Sequence, residues 1–324
     1  MLTSQDLPDE LVLKILSFSE TKDLIGCGQV SKRIRRISRD GTLWETVNLE
    51  NKTVKTELLE MILEKGCRNL NLCHSEILGS LSSNIKSQLR VLNLSLILSS
   101  PEETLVLEEL LLACCSLEHL LMENVSLTPK MADGIRKNGK TLQILNLNKC
   151  NIQILSTRKS RYLQEIFECC QKLKDINFNR VEGLSHDDLQ VLAEIIPPNV
   201  EELNLGSLYF MDDHVKVLLS RCKKLEKLSL QSIWLTDESL RNISYYLNLT
   251  LEELSLLATK DTTITGLDEL KSMPRLKRLN FYSYREKDRE EFQKLRQHLS
   301  HLMIITPYPW ERPKGTYIND VLYF

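Results

Sequence analysis

One short pattern recurs along most of this chain of 324 residues. The copy that starts at Leu142 reads LQILNLNKCN, with apolar residues at its first, fourth and sixth positions. Successive copies begin 23 to 31 residues apart. A unit of this length cannot bury its apolar side alone, so the repetition predicts a stack of units that share one continuous core. The clear copies start at Leu89, Leu117, Leu142, Leu173, Val200, Leu225, Leu251, Leu276 and Leu299.

The spacing is typical of leucine-rich repeats, whose units combine a short strand with a helical return. A weaker copy passes through Cys67 and Leu70, and Val47 fits the start of the stack. We therefore predict an α/β fold over residues 46–305: a curved leucine-rich-repeat solenoid with parallel strands on its concave face and helices on its convex face. The predicted helices are Lys130–Asn138, Asp187–Ile196, Asp213–Arg221, Asp237–Leu247 and Arg289–His298.

The concave face is the candidate substrate-binding surface. Side chains alternate along a strand, so the first, fourth and sixth positions turn inward while the third and fifth point to the concave face. About ten strands at ~4.8 Å spacing give a face roughly 45 Å long, which suits a protein partner and is oversized for a metabolite. The fifth position is usually Asn, which could bind a ligand or could be a common filler of repeat strands. The substrate-binding candidates are Asn146, Asp175, Asn177, Glu202, Asn204, Lys227 and Arg278.

The first 45 residues do not follow the repeat. Pro8 suits the first turn of a helix, and Leu11 and Ile15 recur at helical spacing. Further short helices are expected over 21–27 and 31–39. Three helices in so small a segment cannot bury all of their apolar faces against each other. The segment is therefore either a cap for the stack or a docking module whose apolar surface rests on a partner.

The order of residues in this segment resembles the F-box, a module that docks to the small adaptor subunit of SCF-type ubiquitin ligases. Because the repeats follow at once, the whole chain is similar to the F-box/leucine-rich-repeat class. The resemblance implies a three-helix F-box over residues 1–45 that precedes the solenoid. The residues that match the F-box pattern in order are Leu7, Pro8, Glu10, Leu11, Ile15, Leu16, Leu24, Val30, Lys32, Arg33, Leu43 and Trp44.

The resemblance implies the substrate-recognition subunit of an SCF-type E3 ubiquitin ligase. In that class the F-box docks the adaptor, and through it the cullin, while the repeats bind a protein substrate. The alternative is a leucine-rich-repeat binding scaffold that is independent of ubiquitination and uses its N-terminal helices only as a cap. The implied adaptor-binding residues are Leu7, Pro8, Glu10, Leu11, Ile15, Leu24, Val30 and Trp44.

Composition and motifs argue against other classes of protein. The net charge of -2 disfavours a nucleic-acid partner, and no apolar run approaches the roughly 18 residues of a membrane helix. The nine cysteines lack zinc-binding spacing and are expected to be free thiols in the reducing cytoplasm, the nucleus or both. The chain contains no H-E-x-x-H, G-x-S-x-G or Walker motif. We therefore expect no enzyme, no catalytic residue, no metal and no cofactor.

The last segment, residues 306–324, departs from the repeat again. Pro307, Pro309 and Pro313 forbid a helix there. Its aromatic side chains, among them Trp310, are too many for a segment that floats in water. Two arrangements follow: a cap on the open edge of the last repeat, or a return along the concave face.

Overall fold

The computed structural model describes residues 7–19, 21–82, 85–97, 100–152, 159–232, 234–259, 261–283 and 303–305. The chain divides into two compact units. The first unit is Met1–Asp175 with Val181–Leu184, and the second is Ile176–Arg180 with Ser185–Phe324. Their boundary lies inside the predicted solenoid.

Helices and strands alternate after an N-terminal group of helices. The helices of the described chain are α1 Asp9–Leu16, α2 Thr21–Val30, α3 Lys32–Ser38, α4 Thr56–Glu64, α5 Pro101–Ala113, α6 Pro129–Lys137, α7 Lys159–Cys169, α8 His186–Ile195, α9 Asp212–Arg221, α10 Asp237–Leu247 and α11 Ile264–Leu267. Its 3₁₀ turns include Gly41–Trp44 and Asp268–Ser272. Its strands are β1 Thr46–Asn48, β2 Thr53–Lys55, β3 Asn69–Asn71, β4 Glu76–Leu78, β5 Val91–Asn93, β6 His119–Leu121, β7 Ile144–Asn146, β8 Asp175–Asn177, β9 Glu202–Asn204, β10 Lys227–Gln231, β11 Glu253–Thr259, β12 Arg278–Ser283 and β13 Met303–Ile305.

A parallel sheet forms the spine of the first unit, in the order β1-β3-β5-β6-β7. Its register places the fourth residue of each repeat opposite the fourth residue of the next, because every unit contributes the same apolar position to the core. These aligned residues are Val47, Leu70, Leu92, Leu120 and Leu145. A separate two-stranded parallel sheet, β2 with β4, was not predicted and buries Val54 and Ile77.

The second unit repeats the arrangement with β9-β10-β11-β12-β13 in parallel order. Its fourth-position residues Leu203, Leu228, Leu254 and Leu279 align in the same way. Leu279 then pairs with Ile304, which is the sixth residue of the copy that starts at Leu299, so the register of this last copy differs by two residues from the predicted one. The strand β8 spans the boundary between the units, with Asp175 in the first and Asn177 in the second.

The predicted α/β class, with N-terminal helices followed by repeats of parallel strand and helix, is confirmed. The first, fourth and sixth positions are buried as expected; Leu142, Leu145 and Leu147 show no exposed surface. The helix α10 has the predicted bounds. Pro8 lies one residue before α1 instead of in its first turn. The predicted helix Arg289–His298 and the segment 306–324 lie outside the described residues.

The start of α9 contains a buried histidine whose ring accepts a hydrogen bond. His214 Nδ1 accepts the backbone N–H of Met211 at 3.0 Å. Its ring centroid lies 5.4 Å from that of Phe210 and 4.8 Å from that of His186. Burial, and to a lesser degree His186, lower the pKa of His214 below its ordinary value of 6.5, while Asp213 opposes them.

We predict that this histidine makes stability depend on pH. Between its lowered pKa and about 6.5 the folded His214 binds fewer protons than the unfolded chain, so the free energy of unfolding falls as pH falls through this range. The measurement is the urea midpoint from pH 8 to pH 5, for the wild type and for His214→Gln, which keeps an acceptor but does not titrate. Parallel pH curves for the two proteins would contradict the assignment.

Candidate functional site

Ion pairs hold the first helix against the third. The guanidinium of Arg33 donates from Nε to Asp9 Oδ1 at 2.8 Å and from Nη2 to the carbonyl of Leu7. Arg36 donates to the other carboxylate oxygen of Asp9. The hydrogen bond from Arg33, followed by the charges of both arginines, holds the pKa of the Asp9 carboxyl below its usual value. The start of α1 is therefore oriented by α3 and not by packing alone.

The inner side of these helices is apolar and closed. Val12 and Leu16 of α1 are buried, as are Leu24 of α2 and Ile37 of α3. These side chains account for one face of each helix. They form a core for the segment without using every apolar residue that it contains.

Trp44 completes that core at the point where the segment meets the first strand. Its indole Nε1 donates to the carbonyl of Ser38 at 2.7 Å, so its polar atom is satisfied although the side chain is only 3% exposed. The amino group of Lys65 lies 5.5 Å from the ring centroid of Trp44 and donates to the carbonyl of Arg39. The tryptophan therefore locks the segment to α4 of the first unit.

The outer side of α1 exposes an apolar stripe. Leu11, Ile15 and Phe18 follow one another at spacings of four and three residues and are 51%, 56% and 78% exposed. Val30 at the end of α2 is also exposed, and so is Ile25. Because α1 buries Val12 and Leu16 on its other side, this helix is apolar on both faces. We name Leu11, Ile15, Phe18, Ile25 and Val30 the outer apolar surface.

The predicted adaptor-binding residues occupy two environments. Pro8, Glu10, Leu11, Ile15 and Val30 are exposed, and Leu7 is partly buried. Leu24 and Trp44 are buried inside the chain, so their side chains support the helices from within. Two members of the outer apolar surface, Phe18 and Ile25, were not among the predicted contacts. The helical spacing of Phe18 from Leu11 was the available signal for the first of them.

Three fifth-position asparagines among the substrate-binding candidates, Asn146, Asn177 and Asn204, end their strands. The side-chain oxygen of Asn146 accepts the backbone N–H of Asn148 at 2.9 Å. Asn177 and Asn204 make the same contact with the residue two positions on, each at 3.0 Å. An Asx turn of this kind replaces the next hydrogen bond of the strand. These three substrate-binding candidates therefore have a structural task in their own repeats.

The residue three places after each such asparagine takes a left-handed backbone conformation. Lys149 has φ 56° and Ser207 has φ 60°, and equivalent residues in neighbouring repeats share this value. Repeats with Ser in the fifth position differ, because Ser229 and Ser255 lie within strands that continue to Gln231 and Thr259. The link to asparagine is not strict, because Leu121 also ends a strand of three residues before the left-handed Asn124, and Asn280 lies within the longer strand Arg278–Ser283.

Replacing Asn146 tests this structural task. We expect Asn146→Ala to lower the free energy of unfolding by about 1 kcal/mol, because the backbone N–H of Asn148 loses its partner. Asn146→Asp keeps an acceptor oxygen and is expected to stay close to the wild type. Urea unfolding followed by circular dichroism measures both. Equal stability of the alanine and aspartate variants would show that the side chain does not support the turn.

Charged candidates of the second unit form ion pairs with residues of adjacent strands. The amino group of Lys227 lies 2.9 Å from Glu202 Oε1, and the two residues face each other in the register of β10 and β9. Arg278 pairs with Glu253 of the adjacent strand, whose second carboxylate oxygen is buried without a hydrogen-bond partner. Neutralised pairs of this kind favour recognition by shape and hydrogen bonding over recognition by net charge. Of the other candidates, Asn146 and Asp175 lie in the first unit.

The buried thiols have no features of a nucleophile. The nine cysteines, all of which lie in the described part of the chain, form no disulfide. Burial raises the pKa of Cys150 and Cys170 to about 12, and that of Cys67 to about 11. A thiol at such a pKa is protonated at neutral pH and is inert. These residues fill the core of their repeats.

The described ranges hold neither a metal cluster nor a membrane-spanning helix. No cluster of three or more His, Cys, Asp or Glu side chains in them could hold a metal ion. None of the helices placed by the structure combines the length and the apolar character needed to cross a bilayer. The candidate functional features of the described chain are the outer apolar surface and the polar strand positions.

Residues 4–50 match the F-box-like family, and residues 57–308 match the family described as the SKP2 LRR domain. An F-box/FBD/LRR-repeat protein of Arabidopsis thaliana is 25% identical over 243 residues, which cover 70% of this chain and 54% of that protein. The chain thus spans about half the length of this curated relative.

Two solved structures are similar to this chain at low sequence identity. A chain from the yeast complex of Rad7 and Elc1 has a TM-score of 0.46 at 15% identity, covering 95% of this chain and 92% of that one. The leucine-rich-repeat-containing protein LegL7 of Legionella pneumophila has a TM-score of 0.40 at 15% identity, covering 81% of this chain and 83% of that one.

The family assignment rests on the two sequence matches, which lie one after the other and together extend over the N-terminal helices and the repeats. The match to the repeat domain alone covers well over half of the chain. The expected order, an F-box and then leucine-rich repeats, is confirmed. This protein belongs to the family of SKP2-type leucine-rich-repeat proteins and carries an F-box-like segment in front of its repeats.

Proposed function

We propose that this protein is the substrate-recognition subunit of an SCF-type E3 ubiquitin ligase. The observation that carries the proposal is the outer apolar surface on the F-box-like segment. Leu11, Ile15 and Phe18 form a stripe on a helix whose opposite side is already packed. An exposed apolar patch of this kind marks an interaction site, because it would otherwise be covered by the fold.

In this proposal the adaptor covers the outer apolar surface and links the chain to the cullin. An amphipathic helix commonly binds by laying its apolar side in a groove of the partner, and α1 has the spacing for this mode. Leu24 and Trp44 are buried and support the helices of the segment from inside. The salt bridge between Arg33 and Asp9 sets the angle of α1.

The repeats then hold a protein substrate. Their strands present polar and paired charged side chains at the third and fifth positions, as Lys227 and Glu202 do. The chemistry of ubiquitin transfer belongs to other subunits, and this chain contributes proximity by fixing the substrate near the charged enzyme. The chain supplies no catalytic residue in this scheme. It acts in the cytoplasm, the nucleus or both.

Association with the adaptor tests the proposal directly. The purified chain is mixed with the SCF adaptor and the mixture is separated by size exclusion. Co-elution in a one-to-one complex, and recruitment of the cullin by that complex, are the expected results. A chain that folds but never associates with the adaptor would overturn the proposal and leave a scaffold that uses only its repeats.

A further inference from the structure

Three partly exposed apolar side chains of the first unit interrupt a row of polar strand positions. In the repeats that begin at Cys67 to Leu276, the third and fifth positions carry polar residues, with three exceptions. The exceptions are Val91 in β5, Leu121 in β6 and Ile144 in β7. In each of these strands the central residue is buried and the residues on either side are partly exposed. The three side chains therefore point away from the core.

The strand register brings these exceptions together. Val91 pairs with His119, and His119 pairs with Ile144, so three adjacent strands present these residues in one row. Leu121 lies two residues after His119, on the same face of β6. At a strand spacing of ~4.8 Å the row is roughly 10 Å wide, which is the size of one or two side chains. We name Val91, His119, Leu121 and Ile144 the strand patch.

Leu121 is not needed by the turn that follows it. In the neighbouring repeats the fifth-position residues Asn93 and Asn146 accept the backbone N–H of the residue two positions on. A leucine cannot do so, and the N–H of Glu123 is bound instead by the hydroxyl of Ser95 at 3.1 Å. The core does not need Leu121 either, because its side chain stays partly exposed beside a fully buried fourth position. Neither the turn nor the core therefore explains an apolar residue here.

Charged residues near both ends of β6 are paired with residues of neighbouring repeats. Before the strand, Glu118 Oε1 lies 3.4 Å from the guanidinium of Arg90. After the strand, Glu123 Oε1 lies 2.8 Å from the amino group of Lys149. A charged ligand group at the strand patch would lose hydration and would find these charges already paired. Charge complementarity therefore selects an uncharged occupant.

We propose that the strand patch anchors an apolar side chain of the substrate protein, presented by an uncharged, extended segment. The inference rests on the proposed function, in which the repeats hold a protein substrate, and it names the chemical class that they select. Contact with Val91, Leu121 and Ile144 removes apolar surface of both partners from water. The imidazole of His119, between Val91 and Ile144 in the register, is placed to hydrogen-bond to the backbone of the segment.

Methyl NMR of the full chain, labelled at Ile, Leu and Val, tests the inference with three peptides of equal length. All have a Ser/Gly background, and their central residues are Leu-Phe-Leu, Lys-Phe-Lys or Glu-Phe-Glu. We expect the Leu-Phe-Leu peptide to shift the methyl signals of Val91, Leu121 and Ile144 saturably, with binding that does not weaken as salt rises. The charged peptides should bind at least about tenfold more weakly. Far smaller shifts are expected for the buried methyl groups of the same strands, which are those of Leu92, Leu120 and Leu145.

Leu121→Asn is the matched variant, because asparagine is the common residue at this position and can form the turn seen at Asn93 and Asn146. Its thermal unfolding midpoint should therefore be no lower than that of the wild type. Its affinity for the Leu-Phe-Leu peptide should fall about tenfold. The control Leu105→Asn changes a leucine that is 53% exposed on α5 and should bind the peptide like the wild type.

The inference is overturned if the Leu-Phe-Leu peptide leaves the strand patch unchanged, if the charged peptides bind equally well, or if Leu121→Asn binds like Leu105→Asn. It is also overturned if the patch methyl signals shift with protein concentration alone or on deletion of residues 306–324. The occupant would then be a second copy or the last segment of the chain itself.

Adaptor co-elution, measured on the same protein, separates this inference from the proposed function. Adaptor binding without peptide binding would remove the strand patch and leave the ligase proposal standing. Peptide binding without adaptor binding would remove the ligase proposal and leave the strand patch as the binding site of a scaffold that is independent of ubiquitination.

Discussion

Replacing Leu11 by Glu is expected to abolish co-elution with the SCF adaptor. Leu11 lies at the start of the exposed stripe of α1, half-covered by its own chain, so an interface that buries the stripe would trap the new carboxylate in an apolar setting. An unpaired charge in such a place costs about 3 kcal/mol or more, which corresponds to a loss of affinity of about a hundredfold. Isothermal titration of the adaptor into the purified chain measures the effect.

A second exposed leucine gives the matched control for this variant. Leu249 is 65% exposed and lies in the second unit, far along the chain from α1. Leu249→Glu introduces the same charge and should leave adaptor affinity unchanged, and thermal unfolding of both variants should match the wild type within about 0.5 kcal/mol. Adaptor affinity of Leu11→Glu within a factor of about two of the wild type would remove α1 from the interface.

Truncating Phe178 to alanine is expected to lower the free energy of unfolding by about 3 to 5 kcal/mol. The side chain is at the sixth position of its repeat and shows no exposed surface. Its removal leaves a cavity that the neighbouring repeats cannot close, because the strands on either side hold each repeat in register. The urea midpoint, followed by far-ultraviolet circular dichroism, measures the loss.

A leucine variant of Phe178 provides the control, because most other repeats carry a smaller residue at the sixth position. Leu147 and Leu205 occupy the sixth position in the adjacent repeats and are equally buried. Phe178→Leu therefore returns the repeat to the common residue and should cost about 1 kcal/mol, well below the alanine variant. Similar midpoints for Phe178→Ala and the wild type would show that the sixth position is not part of a shared core.

The period of the leucines was sufficient to predict the repeats, because burial at the fourth position is periodic in sequence and in space. Leu70, Leu92 and Leu120 each hold the fourth position of their repeat, and the structure aligns them in one register. The separate pair β2 and β4 could not be found in this way. Each of its strands has only three residues and one buried side chain, as with Val54, which is too short for a pattern to emerge.

The candidate sites show where pattern reasoning stops. Leu24 and Leu11 are both apolar residues of short N-terminal helices, yet the first is buried and the second exposed. Spacing along one helix cannot decide between them, because each helix has apolar residues on more than one side and only the packing of neighbours selects the inner one. Asn146 likewise looked like a ligand contact, and the hydrogen bond that defines its turn is visible only in three dimensions.

The sequence by itself determined the class of fold, the register of the repeats up to β12 and the F-box-like segment, since each depends on residues close together or regularly spaced along the chain. Tertiary structure decided which apolar side chains stay outside, as with Phe18, Tyr209 and Trp234. The reason is physical: exposure depends on the elements packed around a residue, and those elements come together only when successive repeats stack.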